Sequence, residues 1–186
     1  MRESITAIRS EAAAMKEMVE QLLFLARGDN DSMHLELENV SLAAIASEVQ
    51  REIEMIDQTH VFVSDLVGDG IVYADAGLMK QLLRILMDNS VKYSGPEGRV
   101  YLRVSAQKDY ARVTVQDEGM GIVPQAIPHI FDRFYRTDSS RARQTGGTGL
   151  GLSIATSLTA IQGGDFRLTI DGDLFKVTLT LPRAEQ

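Results

Sequence analysis

The stretch "RVYLRVSAQKDYARVTVQDEGMGI", Arg99 to Ile122, alternates apolar and polar residues on both sides of a short polar break at Lys108-Asp109. Period-two alternation rich in valine, leucine and tyrosine is the signature of a half-buried strand. The spacing therefore predicts two strands, near 99–106 and 110–116, running antiparallel about that break. The second run ends on Asp117, and Gly119 and Gly121 follow as D-x-G-x-G. A carboxylate leaving a sheet beside two glycines can accept a hydrogen bond from the amino group of a flat base, while bare backbone admits the ring. Taken alone, the same letters also suit an ordinary Asp-Glu-Gly turn.

Outward from this hairpin the chain reads as mixed structure. Upstream, residues 76–93 predict a strongly apolar helix through Leu78, Leu82, Leu83, Ile85 and Leu86. That helix ends in "MDNSVKYS", Met87 to Ser94, a polar cluster where it otherwise buries itself. Asn89 offers a neutral carbonyl oxygen of the kind Mg²⁺ accepts when most of its ligands are water and phosphate. Lys92, three positions on, can face the same ligand. Further upstream, Leu35, Leu37 and Val40 suggest a short strand, and Ser41 suits the cap of a helix running to about Asp57. Val61-Phe62-Val63 and Ile71-Val72-Tyr73 read as a pair of strands around Gly68-Asp69-Gly70. Downstream, a helix over about 149–162 precedes a hairpin, 165–171 and 174–181, turning at Asp171-Gly172-Asp173. The fold class implied is α+β: a two-layer α/β sandwich, its mixed, mainly antiparallel sheet covered on one face by helices. An amphipathic helix precedes it. Its residues Ile5, Ile8, Ala12, Met15, Val19, Leu22 and Ala26 step by threes and fours, the seam of a helix made for another helix. Gly28 and Asp29-Asn30-Asp31-Ser32 end that segment.

Composition narrows the function. The 186 residues carry 19 basic and 26 acidic side chains, a formal charge of −7, which disfavours general binding to nucleic acid or an anionic membrane. The absence of cysteine excludes disulfides and cysteine-ligated zinc. No apolar run approaches the roughly 18 residues of a membrane span, and the first residues lack a signal-peptide pattern. The sequence reads as a soluble, cytoplasmic fragment, with membrane anchoring of a longer parent left open.

Two further clusters carry chemistry. "IFDRFYR", Ile130 to Arg136, follows Pro124 and Pro128 and suits either an aromatic hinge or a small satellite core. The polar run "TDSSRARQTGG" after it has the composition of a lid. "QTGGTGLGLSIA", Gln144 to Ala155, then sets Gly147, Gly149 and Gly151 at alternate positions directly before a helix. Bare N–H groups at a helix N-terminus make an anion site, suited to polyphosphate. Neither the lysine of the Walker pattern nor the spacing of the dinucleotide fingerprint is present.

In order, D-N-S-x-K-Y-S, D-x-G-x-G, F-x-R-F-Y-R and G-T-G-L-G-L resemble the ATP-binding domain of sensor histidine kinases, in the superfamily shared with DNA gyrase, MutL and the heat-shock chaperone ATPase. The resemblance covers about residues 37–186. The first 28 residues are similar to the family's second dimerisation helix, and residues 29–36 are the linker. The resemblance implies that Asp117 accepts from the adenine amino group, and that Asn89 holds Mg²⁺ and acts with Lys92 in catalysis. It also implies that Tyr93, and Arg141 from the lid, reach towards the phosphates. Gly119, Gly121, Gly147, Gly149, Leu150 and Gly151 complete the nucleotide site. The implied reaction moves the ATP γ-phosphate to a histidine on a dimerisation helix, for relay to a response regulator, in a parent that is a homodimer. The family's acceptor is a His followed by Asp or Glu, whereas His34, His60 and His129 precede Leu35, Val61 and Ile130. All three read as structural, which makes this a catalytic fragment without the acceptor. Ile85 stands where ATPase relatives carry a glutamate base, and isoleucine cannot activate water. Gln162 stands where a histidine often precedes two glycines. Two other readings are a nucleotide-binding module with degenerate catalysis and a serine kinase or ATPase of the same superfamily.

Overall fold

The computed structural model describes residues 12, 15–16, 18–19, 21–26, 34–119, 121–136 and 147–184. The chain divides into two compact units, Met1–His34 and Leu35–Gln186. In the first, the described residues between 12 and 26 are helical, and Met15, Val19 and Leu22 of the expected seam are exposed. Ile5 and Ile8 of that seam lie outside the described residues. Among the described residues no helix is long and apolar enough to cross a membrane.

The second unit runs β1 (Leu37–Ser41), α1 (Leu42–Ile56), β2 (Val61–Val67), β3 (Ile71–Asp75), α2 (Ala76–Tyr93), β4 (Arg99–Ala106), β5 (Tyr110–Glu118), a 3-10 turn (Ile127–His129), α3 (Gly151–Ile161), β6 (Asp165–Asp171) and β7 (Leu174–Pro182). Five strands form the main sheet in the order β2-β4-β5-β7-β6, and β1 pairs with β3 in a separate two-stranded sheet. All pairings are antiparallel except β2 with β4. Alternation does what the sequence implies: Val100, Leu102 and Val104 of β4, Ala111, Val113 and Val115 of β5, and Val177, Leu179 and Leu181 of β7 are all buried on one face. The helices cover that face. Central α2 contacts both α1 and α3 and buries Met79, Leu82, Leu83, Leu86 and Met87. The result is the expected α+β, two-layer arrangement.

One expected pairing does not form. β2 and β3 exist as strands, yet they lie in different sheets, β2 beside β4 and β3 beside β1. The turn between them explains this. Gly68 and Gly70 adopt φ of 75° and 56°, and the carbonyls of Asp69 and Gly70 accept from Ala43 and Leu42 at the start of α1. The Ser41 hydroxyl accepts from the Ala44 N–H as the helix cap and donates to the Asp69 carbonyl. Turn carbonyls that a hairpin would have spent locally instead satisfy orphan donors of a helix. Gly70 is also buried, with space for a Cβ only 3.3 Å from Val104, so the chain dives through the core rather than reversing at the surface.

Helix ends follow local chemistry. Asp75 caps α2 by accepting from the Leu78 N–H at 3.0 Å. α3 begins at Gly151, later than the sequence implies, because Gly149 sits at φ +73°, outside helical space.

Candidate functional site

The same alternation that buries Ala111, Val113 and Val115 carries Asp117 onto the helix-covered face, where it is 1% exposed. It pairs with Val100 on one side and Phe175 on the other, so both residues directly opposite it are apolar. Burial pushes its carboxyl up to about 6, and the nearby Ser90 hydroxyl works in the other direction. Its Oδ1 is buried with no hydrogen-bond partner. Buried acceptors left unpaired are costly and uncommon, and of the three buried side-chain atoms without a partner among the described residues, Asp117 Oδ1, His60 Nε2 and Arg183 Nε, only the first belongs to a residue that lines the cavity described below.

The glycines after it are required by space. A Cβ at Gly119 would stand 2.8 Å from Asp117 Oδ1 and 3.1 Å from the Tyr93 carbonyl oxygen. Gly121 has φ +67° and lies against the Gly172 carbonyl. The loop is held on two sides, through a bridge between Ser94 and Gly119 and through the Gly119 N–H donating to the Asp173 carbonyl at 2.9 Å.

Beside Asp117 opens a cavity of about 290 Å³. Asn89, Tyr93, Asp117, Gly119 and Gly121, all singled out from the sequence, line it. Its apolar walls were not foreseen: Ile122 and Val123 after β5, Ile130, Leu152 on α3, Ile170 on β6 and Phe175 on β7. Tyr135 and Arg136 complete the lining. Apolar walls around one buried acceptor suit a largely apolar ring that carries a hydrogen-bond donor. Lys92 is exposed and does not line the cavity, although Asn89 and Tyr93, one helical turn apart, both do.

The glycine-rich stretch serves two purposes. A Cβ at Gly149 would lie 2.8 Å from the Phe134 carbonyl carbon, and the Gly149 carbonyl accepts from the Phe134 N–H at 3.0 Å. A Cβ at Gly151 would lie 3.3 Å from Asn89 Nδ2 and 3.3 Å from Ile85 Cγ2. These two glycines therefore let the protein pack on itself, a reason beyond the polyphosphate contact that the sequence suggested. Leu150 is fully buried, so only its backbone can face a ligand. Gly147 is open, with Tyr93 Oη at 3.9 Å from its would-be Cβ. No side chain of the N-cap residue Leu150 caps α3, which leaves N–H donors at a positive helix end close to Asn89. Arg141 and the lid run lie outside the described residues. The aromatic cluster divides its labour: Phe131 packs edge-on against Phe166, Tyr135 lines the cavity, and Phe134 is exposed at φ 67°.

None of the histidines joins the cavity lining. His60 is tucked against Asp57, with Nδ1 to Oδ2 at 2.6 Å, and its Nε2 is buried. His129 pairs with Asp132 at 2.9 Å, and His34 is exposed. Among the described residues no group of three His, Cys, Asp or Glu side chains is placed to hold a metal ion.

A family model described as "Histidine kinase-, DNA gyrase B-, and HSP90-like ATPase" matches residues 74–185, the span that holds every wall of this cavity. The chain belongs to that family. Sensor histidine kinase YkoH of Bacillus subtilis (strain 168) is 39% identical over 163 residues, covering 88% of this chain and 35% of the relative. Sensor histidine kinase WalK of the same organism is 33% identical over 183 residues, covering 96% of this chain and 30% of the relative. The chain thus spans about a third of the length of the curated relatives it matches. Full-length ShkA, solved in complex with AMPPNP, superposes with a TM-score of 0.83 at 26% identity, covering 100% of this chain and 39% of that one.

Proposed function

We propose that this chain binds ATP with Mg²⁺ in the cavity beside Asp117 and transfers the γ-phosphate to a histidine of a dimerisation helix, as the catalytic part of a sensor histidine kinase. The observation that carries the reading is the unpaired, buried Oδ1 of Asp117 in an apolar cavity. An adenine amino group donates to that oxygen, and the apolar walls take the ring faces. The likeness to two sensor histidine kinases, and to ShkA, solved in complex with the ATP analogue AMPPNP, supports the same assignment.

The donor set fits the rest of the ligand. Asn89, whose side chain lines the cavity, is the residue that would hold Mg²⁺. The ion would supply charge neutralisation to the phosphates. The uncapped N-terminus of α3 and the open backbone at Gly147 receive phosphate oxygens, with Tyr93, Lys92 and Arg141 as polar and cationic support. Phosphoryl transfer asks little covalent work of the protein, so positioning and charge account for most of the rate. A histidine ring nitrogen forms its bond to the γ-phosphorus as the bond to the β,γ-bridging oxygen breaks, and ADP leaves with that oxygen. Ile85 packs where Gly151 meets α2 and offers no base for water, so transfer rather than hydrolysis is the expected outcome. The acceptor is a histidine on a partner helix, in a homodimeric cytoplasmic kinase core that passes the phosphate on to a response regulator.

The test is incubation with γ-labelled ATP, alone and with a separate two-helix fragment carrying the acceptor histidine. Acid-labile label is expected on the added fragment only. Stoichiometric label on His34, His60 or His129, or ATP binding with no transfer to the acceptor fragment, overturns the assignment.

A further inference from the structure

We propose that the free edge of β2 is an interaction surface on which a second copy of this chain adds antiparallel, joining two sheets edge to edge about Ser64. β2 forms one end of the five-stranded sheet and β6 forms the other. The two ends are built differently. β6 sets Asp165, Arg167, Thr169 and Asp171 on the face away from the helices, and all four are exposed. Charges on an edge strand discourage another strand from adding. On the same face β2 carries Val61, Val63 and Val67, exposed by 50%, 42% and 63%, and it contains no lysine, proline or glycine. Its single charge, Asp65, is already held by Arg103 of β4, with Nε to Oδ2 at 3.0 Å.

Backbone direction decides which groups are free. The Val61 N–H donates to the Gly98 carbonyl, on the β4 side. Direction alternates along a strand, so Phe62, Ser64 and Leu66 turn their N–H and C=O groups outwards. Among the described residues no strand pairs with that side. In an antiparallel copy centred on Ser64, Ser64 faces Ser64 and Phe62 faces Leu66, and at each of these positions the two residues exchange both N–H···O bonds. Side chains match in the same register. Val61 meets Val67 on the open face, while Phe62 meets Leu66, both half-buried, on the helix face. Asp65 meets Val63, so no charge stands directly opposite a like charge. The formal charge of −7 makes copies repel over most of their surface, and this apolar edge, with its one carboxylate paired, is where they meet with least repulsion. One short strand from each copy covers less than the about 800 Å² per partner of a stable complex, so the association is weak and concentration-dependent. It uses neither the seam of the first helix nor any residue that lines the cavity.

The experiment is electron spin resonance of the full 186-residue chain, which lacks cysteine, so that Val61→Cys, Ser64→Cys and Val67→Cys each take a single nitroxide label. The proposed register brings the two Ser64 Cα atoms to about 5.5 Å. It leaves Val61 from Val61, and Val67 from Val67, about 20 Å apart, at about 3.4 Å per residue. At concentrations up to about 1 mM, coupling between labels should be strongest at position 64, weaker at 61 and 67, and should fade on dilution at all three. Sedimentation gives an independent reading. Val61→Glu and Val67→Lys should each weaken association about fivefold, and the double variant should recover it, because Glu and Lys then face each other across the two-fold axis. Within one chain those two positions are too far apart to pair. Coupling at no position, equal coupling at all three, or no recovery in the double variant overturns the proposal; association through the helix seam alone would give one of these. Labels immobilised at position 64 whatever the dilution would mean that another segment of the same chain covers the edge, and overturn it as well. None of these outcomes touches the nucleotide reading, which the labelled-ATP test decides.

Discussion

Asp117 and Gln162 are buried almost equally, at 1% and 6% exposure, and both sit where helices meet strands. Gln162 is spent on structure. Its Oε1 accepts from the Asp75 N–H at 2.9 Å and its Nε2 donates to the Leu158 carbonyl at 3.4 Å, tying the end of α3 to the start of α2. Asp117 keeps Oδ1 unpaired and carries a raised pKa. Burial alone does not distinguish the two; satisfaction does. In this pair the group with its partners inside the protein holds the fold, and the one with a partner missing beside a cavity holds a place for a ligand; His60 Nε2 and Arg183 Nε, also unpaired, do not line that cavity.

The comparison can be broken by substitution at either member. Gln162→Ala should lower stability most, by about 2–3 kcal/mol in urea unfolding, because it removes two hydrogen bonds and leaves a cavity. Its nucleotide affinity should stay within about twofold of wild type once folded, consistent with a purely structural residue. A tenfold affinity loss there would erase the distinction.

Asp117→Asn should behave in the opposite sense. ATP affinity should fall at least tenfold, about 1.4 kcal/mol, with the circular dichroism spectrum unchanged. Unchanged affinity by calorimetry removes Asp117 from base recognition. The ligand-free fold should meanwhile become more stable, by about 1 kcal/mol above pH 6, since a charge no longer has to be buried. The sign follows from linkage. A carboxyl raised from 3.8 to about 6 binds protons more readily in the folded state. Its destabilising effect is therefore full above pH 6 and fades as pH falls towards 4. The gain of Asp117→Asn over wild type in thermal melts should shrink through that window. A gain that is independent of pH would place the effect in packing rather than charge.

Much of this was legible in advance, for identifiable reasons. The hairpin of β4 and β5, the helix 76–93 and the turn at 171–173 are local patterns, and local patterns survive folding. Asp117 was legible because it leaves a strand directly before Gly119 and Gly121, a local pattern. The pairing of β2 and β3 was misread because glycines that suit a hairpin turn also suit a buried crossing, and only tertiary contacts decide between them. The apolar walls of the cavity come from segments as far apart as Ile122 and Phe175, each an ordinary hydrophobic residue in its own context. Gly149 and Gly151 were noticed as glycines, yet the backbone and side chains they accommodate belong to residues in other parts of the chain.

The single parallel pairing, β2 with β4, bears on how the molecule is assembled. β4 and β5 meet after closing only the short Gln107–Asp109 loop, whereas β2 reaches β4 after β3 and α2 have been laid down between them. Contacts close in sequence form sooner, because less chain entropy is lost before they are rewarded. The strand carrying Asp117 is thus expected to be in its hairpin before the sheet acquires its β2 edge. The acid is then sealed in later, when α2 docks. Refolding in mild acid closes that helix over a neutral group, and refolding at alkaline pH must close it over a charge. The rate of folding, and not only the final stability, should carry the imprint of one carboxyl group.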